Sequence, residues 1–318
     1  MLKTVVIVLF NDVLMLDVSG PMDVFSIANR FLPADQHYHL LTLAEDNAPL
    51  RSSCGLKVLA DARLEALPMN VDLLLVPGGP GAYDHPTPAL ERWLAQAARS
   101  AKRFGAICTG IFLLGRAGLL SGYRCTTHWN YIERLARQFP EARVETEQIY
   151  VTDRNLITSG GITAGIDLAL AVVAEDHGRD LALEVAKVLL VARHRQGGQL
   201  PYGPLLAAVP RDGGPIARVQ AYIVDHIDEA FTVQKMAELA AMSARNFARA
   251  FQRDVGITPL QYLQNARIDH ARKLLEGSDL PLKVVAARSG FGSDRHMRKV
   301  FGERIGMTPN QYRAQFGG

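Results

Sequence analysis

Cysteine is scarce in this chain of 318 residues: Cys54, Cys108 and Cys125 are the whole complement. An odd, widely spaced set of three fits neither a disulfide framework nor a CxxC metal site, which favours a reducing cytoplasm. Long apolar runs are missing too. Residues 2–10 are far too few to span a bilayer and no small-residue cleavage site follows them, so they read as a buried first strand and no membrane contact is expected. The nine histidines show no metal-ligand spacing, and no glycine pair opens a Walker or dinucleotide fingerprint, so neither a metal nor a nucleotide cofactor is expected. Nor does one sign of charge dominate, the formal net charge being +3.

What is present is an ordinary globular composition, 48% apolar and 21% charged, in a chain long enough for two domains of ~100 to 200 residues each. The charge is unevenly divided. From Val219 onward 14 Lys and Arg face 10 Asp and Glu, whereas the preceding residues carry 21 against 22. So small a positive excess bears on nucleic-acid binding only where a DNA-reading motif accompanies it.

Up to about Arg195, β-rich apolar runs alternate with helical patterns, at 4–10, 19–31 and 39–44 in turn. Residues 71–76 end in Pro77-Gly78-Gly79, a helical stretch follows at 88–101, and 103–107 reads as the next buried strand. Residues 155–158 meet Ser159-Gly160-Gly161 before a helical period resumes over 164–175. This is the rhythm of a parallel sheet covered by helices. Residues 196–215 then gather nine glycines and prolines, the composition of a linker. The expected division is a sheet domain at 1–195, that linker, and a second domain at 216–318.

The last hundred residues match themselves. Ser243, Arg245, Gly256, Thr258, Pro259, Gln261 and Tyr262 recur fifty positions on as Ser293, Arg295, Gly306, Thr308, Pro309, Gln311 and Tyr312. Val233, Met236, Ala237 and Ala240 fall on one helix face; Leu282, Val285, Ala286 and Ser289 repeat them at an offset of 49, so a one-residue insertion lies in the second turn. After each turn a serine N-cap opens a helix, with Phe247, Ala250 and Phe251 inward in one copy and Met297, Val300 and Phe301 in the other. Two helix-turn-helix units are expected.

Outward, the first of these helices offers Arg245, Asn246, Arg249 and Arg253, and its counterpart Arg295, His296, Arg298 and Lys299. With the capping Ser243 and Ser293 they make the candidate DNA surface. Arg can bond guanine through two parallel hydrogen bonds, Asn can do the same to adenine, and either cation neutralises phosphates. A merely solvated basic face is the alternative, and two copies in register weigh against it.

Residues 217–316 resemble the AraC/XylS DNA-binding domain, down to Asn265-Ala266-Arg267-Ile268 and the closing Gly306-Met307-Thr308-Pro309-Asn310-Gln311-Tyr312. The resemblance implies seven helices, a long central one at about 259–275 joining two units that enter successive major-groove faces, and operator DNA and RNA polymerase as partners. Gly292-Ser293-Asp294 is close to that family's opening of the second recognition helix.

In the sheet domain, Gly105-Ala106-Ile107-Cys108-Thr109-Gly110 sets a cysteine between a strand and a helix, the arrangement of a nucleophile elbow. At a helix N-terminus the amide dipoles stabilise a thiolate and lower its pKa. The other reading of Cys108 is a small buried hydrophobe at a tight turn. Asp17, taken alone, fits a helix cap or dipole partner, and His128 a packed side chain.

Asp17-Val18-Ser19-Gly20-Pro21, Pro77-Gly78-Gly79, Cys108-Thr109-Gly110, Thr126-Thr127-His128-Trp129 and Gly160-Gly161-Ile162-Thr163-Ala164-Gly165 together resemble the ThiJ/PfpI superfamily over about 5–193. The resemblance implies a class I glutamine amidotransferase-like, flavodoxin-like fold: an α/β parallel-sheet domain followed, in this chain, by an all-α domain with two helix-turn-helix units. It makes Cys108 the reactive cysteine, Asp17 its acidic neighbour, Gly78 and Gly79 an amide-lined wall and His128 a polar pocket residue. With Thr109 these form the expected ligand pocket, and Cys108, Asp17 and His128 are the candidate catalytic group. The Asp, the Cys-Thr pair and the TTHW stretch are similar to isocyanide hydratases. PfpI-type peptidases carry a histidine where Thr109 stands, which disfavours peptidase activity.

The fusion of these two domains resembles the GlxA-type regulators. That likeness implies control of nutrient catabolism genes in response to a small, typically amine-bearing ligand, bound where open α/β sheets bind ligands, at the carboxyl ends of the strands; the sheet domain's likeness to the ThiJ/PfpI superfamily implies a homodimer. Two activities stay open: a non-catalytic sensor, or a DNA-tethered, Cys-dependent hydratase or glyoxalase-like lyase. The regulator half favours the sensor. With the elbow formed and Asp17 held neutral, Cys108 is expected to alkylate ahead of Cys54 and Cys125 at mildly acidic pH.

Overall fold

A computed structural model describes residues 2–84, 86–191 and 214–317, and the chain divides into two compact units between residues 199 and 200. The expected linker at 196–215 lies outside the described residues except for Gly214 and Pro215, which open a helix.

In the first unit seven strands form one sheet: β1 (Lys3–Val8), β2 (Tyr38–Ala44), β3 (Ala62–Arg63), β4 (Leu73–Val76), β5 (Arg103–Ile107), β6 (Tyr150–Asp153) and β7 (Leu156–Ser159). Their order is β6-β7-β5-β4-β1-β2-β3, parallel throughout except where β6 turns back on β7. All four residues of β4 and of β7 are buried, as are Val5, Val6, Ile7 and Val8 of β1. Unbroken apolar runs of this kind belong to parallel strands covered on both faces. The cover is α1 (Met15–Ala28), α2 (Pro88–Ser100), α3 (Ile111–Arg116), α4 (Ile132–Gln138), α5 (Ala164–His177) and α6 (Arg179–Val188). Because β1 lies between β2 and β4, the chain reverses direction across the sheet at β1, the kind of switch point where open α/β sheets bind ligands at the carboxyl ends of their strands.

The first helix departs from its expected start at residue 19. It begins at Met15, which leaves Pro21 inside it and Asp17 in its first turn. Asp17, Val18, Gly20, Pro21, Val24 and Phe25 are all buried, so the helix is covered on most sides and shows little periodicity to read. That shift places a carboxylate in the protein interior.

Seven helices make the second unit among the described residues: α7 (Pro215–Asp225), α8 (Val233–Leu239), α9 (Ala244–Val255), α10 (Pro259–Gly277), α11 (Leu282–Arg288), α12 (Asp294–Ile305) and α13 (Pro309–Phe316). Two separate cores serve them. One holds Ile223, Met236, Phe247, Phe251 and Tyr262; the other holds Ile268, Val285, Met297, Phe301 and Tyr312. The nineteen residues of α10 belong to both, its first half to one and its second half to the other.

Most of the sequence repeat has a structural cause. Ser243 and Ser293 accept the amide hydrogen bonds of Asn246 and His296, and Gly256 and Gly306 end α9 and α12 in the left-handed region. Thr258 with Gln261 and Thr308 with Gln311 form capping boxes; Pro259 and Pro309 open their helices, and Tyr262 and Tyr312 are buried in the two cores. Of the repeated residues, only Arg245 and Arg295 are left exposed without a cap or a core to serve.

Candidate functional site

The elbow forms as the strand–turn–helix pattern requires. Cys108 follows β5 directly, adopts φ +56 and opens a short 3-10 turn that runs into α3. A left-handed φ on a residue with a Cβ is strained and persists where the surroundings hold it. The Thr127 hydroxyl donates to the Cys108 carbonyl at 2.8 Å. The Thr109 hydroxyl accepts the Gly79 amide at 2.9 Å and lies 3.3 Å from the Gly79 carbonyl, tying the elbow to the loop after β4.

Asp17 completes the cluster. One carboxylate oxygen, Oδ2, accepts the Gly78 amide at 2.9 Å and the other, Oδ1, accepts the Ile162 amide at 2.7 Å, joining α1 to the loops that follow β4 and β7. Burial raises its pKa from 3.8 to about 6 against the opposing pull of these two amides. Asp17, Gly78, Gly79, Cys108 and Thr109 are therefore brought together. His128 is one residue beyond the Thr127 tie; its Nδ1 accepts the Asn130 amide and its ring packs on Trp129 and Tyr131. Burial lowers the His128 pKa from 6.5.

The electrostatics overturn the expectation of a low-pKa thiol. Burial, and after it the charge of Asp17, push the Cys108 thiol up to about 12, outweighing hydrogen bonds from Thr109. The helix dipole loses because the sulfur is desolvated and faces an anion. Access is closed as well: Cys108 is 6% exposed, and Gly161, at φ +87, backs onto it so closely that a Cβ there would lie 2.5 Å from Sγ. The exposed Cys54 is the opposite case, its pKa lowered by hydrogen bonds from Ser52 and the Leu56 backbone. With Asp17 ionised, burial and its charge favour the exposed Cys54 over Cys108 in forming a thiolate. Gly161 and Ile162 were not among the expected site residues, although a Gly-Gly pair after a buried strand is the signal that marks such a close approach.

A cavity of about 130 Å³ sits past the carboxyl ends of β1 and β2, lined by Leu9, Phe10, Asp12, Glu45, Asp46 and Leu90 among others. Asp12, Glu45 and Asp46 give this lining an acidic character, with the Glu45 carboxylate accepting from the Thr87 hydroxyl. Carboxylates in the first residues after parallel strands are the sequence signal that would have found it. Among the described residues no three His, Cys, Asp or Glu side chains cluster to hold a metal ion, and no helix is long and apolar enough to cross a membrane.

On the second unit, Arg245, Asn246, Arg249 and Arg253 are exposed along α9, and Arg295, His296, Arg298 and Lys299 along α12. Some are engaged. Arg253 pairs with Asp254 at 2.7 Å, Arg298 with Asp294 at 3.3 Å and Lys299 with Glu303 at 3.9 Å. Among the described residues no ion pair involves Arg245, Arg249 or Arg295.

Residues 3–175 match the DJ-1/PfpI family and residues 236–315 match a helix-turn-helix domain. The HTH-type transcriptional regulator CdhR of Pseudomonas aeruginosa is 32% identical over 288 residues, 91% of this chain and 84% of that protein. The isonitrile hydratase of Pseudomonas putida is 37% identical over 221 residues, 68% of this chain and 85% of the enzyme. A crystal structure of an AraC family transcriptional regulator from Pseudomonas putida matches with a TM-score of 0.53 at 27% identity, over 59% of this chain and 99% of that one. The chain accordingly belongs to the DJ-1/PfpI family, among the DNA-binding transcriptional regulators, GlxA included, that join this domain to an AraC-type helix-turn-helix domain.

Proposed function

We propose that the first unit is a non-catalytic sensor of a small, amine-bearing cation, and that its occupancy sets the action of the second unit on nutrient catabolism genes. The observation that carries the sensor over an enzyme is the state of Cys108: 6% exposed, its thiol at about 12, with the Gly78 and Gly79 amides already bonded to Asp17 and Thr109. A cysteine nucleophile needs a thiolate and access, and charge developing on a substrate needs unoccupied donors. The cavity lined by Asp12, Glu45 and Asp46 supports a cationic ligand. Such a ligand shifts the output only through different affinities for two states of the regulator.

The sensor spans 1–195 and the reading domain 216–318, joined through 196–215. Arg245, Asn246, Arg249, Arg295 and His296 read bases, whereas Arg253, Arg298 and Lys299 exchange their acidic neighbours for phosphates; Ser243 and Ser293 hold the two helices at their starts. The regulator works in the cytoplasm as a homodimer on operator DNA, with RNA polymerase as its further partner.

A thermal-shift screen of amino acids, betaines and polyamines tests the sensor. One class should raise the melting temperature by mass action, Glu45→Gln should abolish that rise, and Cys108→Ser should preserve it. The second reading, a DNA-tethered hydratase or glyoxalase-like lyase, is favoured by the likeness to isonitrile hydratase. It replaces the first if Cys108→Ser abolishes both regulation and turnover of an isocyanide or α-oxoaldehyde.

A further inference from the structure

The two helix-turn-helix units turn at equivalent residues that differ in kind. In the first unit Ala241 takes φ +55 between α8 and α9; in the second Gly290 takes φ +73 between α11 and α12. The left-handed conformation alone therefore does not demand glycine here, since an alanine holds it forty-nine residues earlier. What differs is the surroundings. Ala241 is exposed, whereas a Cβ on Gly290 would lie 2.1 Å from the Ile227 carbonyl oxygen and 2.6 Å from Nε of Arg267. Ile227 belongs to the core of the first unit, and Phe291, the residue after Gly290, to the core of the second. Gly290 is thus the point where the backbone of one unit rests on the backbone of the other.

Arg267 holds that contact from α10. Its guanidinium donates to the Glu229 carbonyl at 2.7 Å, in the segment between α7 and α8, while its Nε faces Gly290. Glu229 is itself fixed by Lys235 at 2.7 Å, and the His270 ring, three residues after Arg267, meets the Ser289 hydroxyl at 3.2 Å beside the second turn. Gly292, the inserted residue of the second turn, has nothing within 4 Å of where its Cβ would stand, so it takes no part in the contact.

We propose that Gly290 and Arg267 are positioning residues forming a joint that fixes the separation and rotation of α9 and α12. The chain then selects DNA by the spacing between two half-motifs as well as by their sequence. This rests on α9 and α12 being the recognition helices. Two recognition elements strengthen each other only where geometry lets both engage at once, so the joint converts a mechanical constraint into sequence preference.

The test is an in vitro selection from a pool of randomised 30-base-pair duplexes, run on the full chain, on Gly290→Ala, on Arg267→Gln and on Gly292→Ala. The unmodified chain and Gly292→Ala should both recover paired half-motifs at one spacing. Gly290→Ala and Arg267→Gln should recover the same half-motifs at scattered or shifted spacings, and should bind the duplex selected by the unmodified chain at least about tenfold more weakly. If Gly290→Ala gives no cooperative melt, Arg267→Gln, which leaves the backbone untouched, decides the matter. Folded variants that keep the single spacing overturn the joint and leave the recognition helices standing. An unmodified chain that recovers no paired motif overturns both.

Discussion

Asp17 and Cys108 close on Gly78 from two sides: a Cβ on that glycine would lie 2.7 Å from Oδ2 of the one and 2.7 Å from Cβ of the other. Both Asp17 oxygens accept backbone amides, so the carboxylate organises the loops around the elbow and opposes a negative charge on the sulfur.

Alkylation should follow this arrangement. Iodoacetamide at pH 7.5 should modify Cys54 on the order of a hundredfold faster than Cys108 or Cys125, because only the thiolate reacts and only Cys54 is both exposed and lowered in pKa. Mass spectrometry of timed samples gives the order, and Cys108 leading would refute the closed elbow.

The carboxyl of Asp17 makes a pH-dependent contribution whose sign follows from its burial. Its folded pKa of about 6 exceeds the reference 3.8, so the folded state binds that proton more tightly than the unfolded chain. The resulting stability is fully present below about 3.8 and is lost as pH rises through about 6. Relative to Asp17→Asn, the native chain should lose about 2 kcal/mol between pH 4 and pH 7. Denaturant unfolding followed by tryptophan fluorescence reads this unit alone, because Trp93 and Trp129 are the only tryptophans in the chain. A stability difference that stays flat across that range would mean that burial does not penalise the charge.

Substitution at Gly161 should separate backbone strain from collision. Gly161→Ala drives a methyl into Cys108, 2.1 Å from its Cβ, whereas Gly118→Ala, also at positive φ, meets nothing within 4 Å. The second should cost about 1 kcal/mol from conformation alone, and the first about 2 kcal/mol more. Equal losses in the fluorescence melt would show that the wall behind the sulfur yields.

On the DNA side, Arg245→Ala or Arg295→Ala should weaken binding by about 1 to 3 kcal/mol on the duplex selected by the native chain and by less on duplexes changed at the contacted base. Arg253→Ala should weaken all duplexes alike and lower the salt dependence, because an arginine already paired with Asp254 has phosphate as its natural alternative. Fluorescence anisotropy at several salt concentrations distinguishes the two patterns, and a uniform loss for Arg245→Ala would move that residue to the backbone.

How much could be read in advance depended on the distance over which each feature is encoded. The serine and threonine caps, the glycine C-caps and the apolar faces of α9 and α12 each involve residues three to thirteen apart, so the repeat carried them openly. The start of α1 did not follow, because a helix buried on most sides has no polar face to set its period.

The sequence by itself determined that a cysteine would stand at a strand-to-helix turn and that two helix-turn-helix units would present arginines to solvent, since both are local patterns of small residues, caps and periodicity. Only the tertiary structure decided what the cysteine is worth chemically. The amides that hold Asp17 come from residues 61 and 145 positions away, and the glycine that seals Cys108 arrives because β7 lies beside β5. Desolvation and like-charge repulsion depend on such distant neighbours, and no local pattern encodes them.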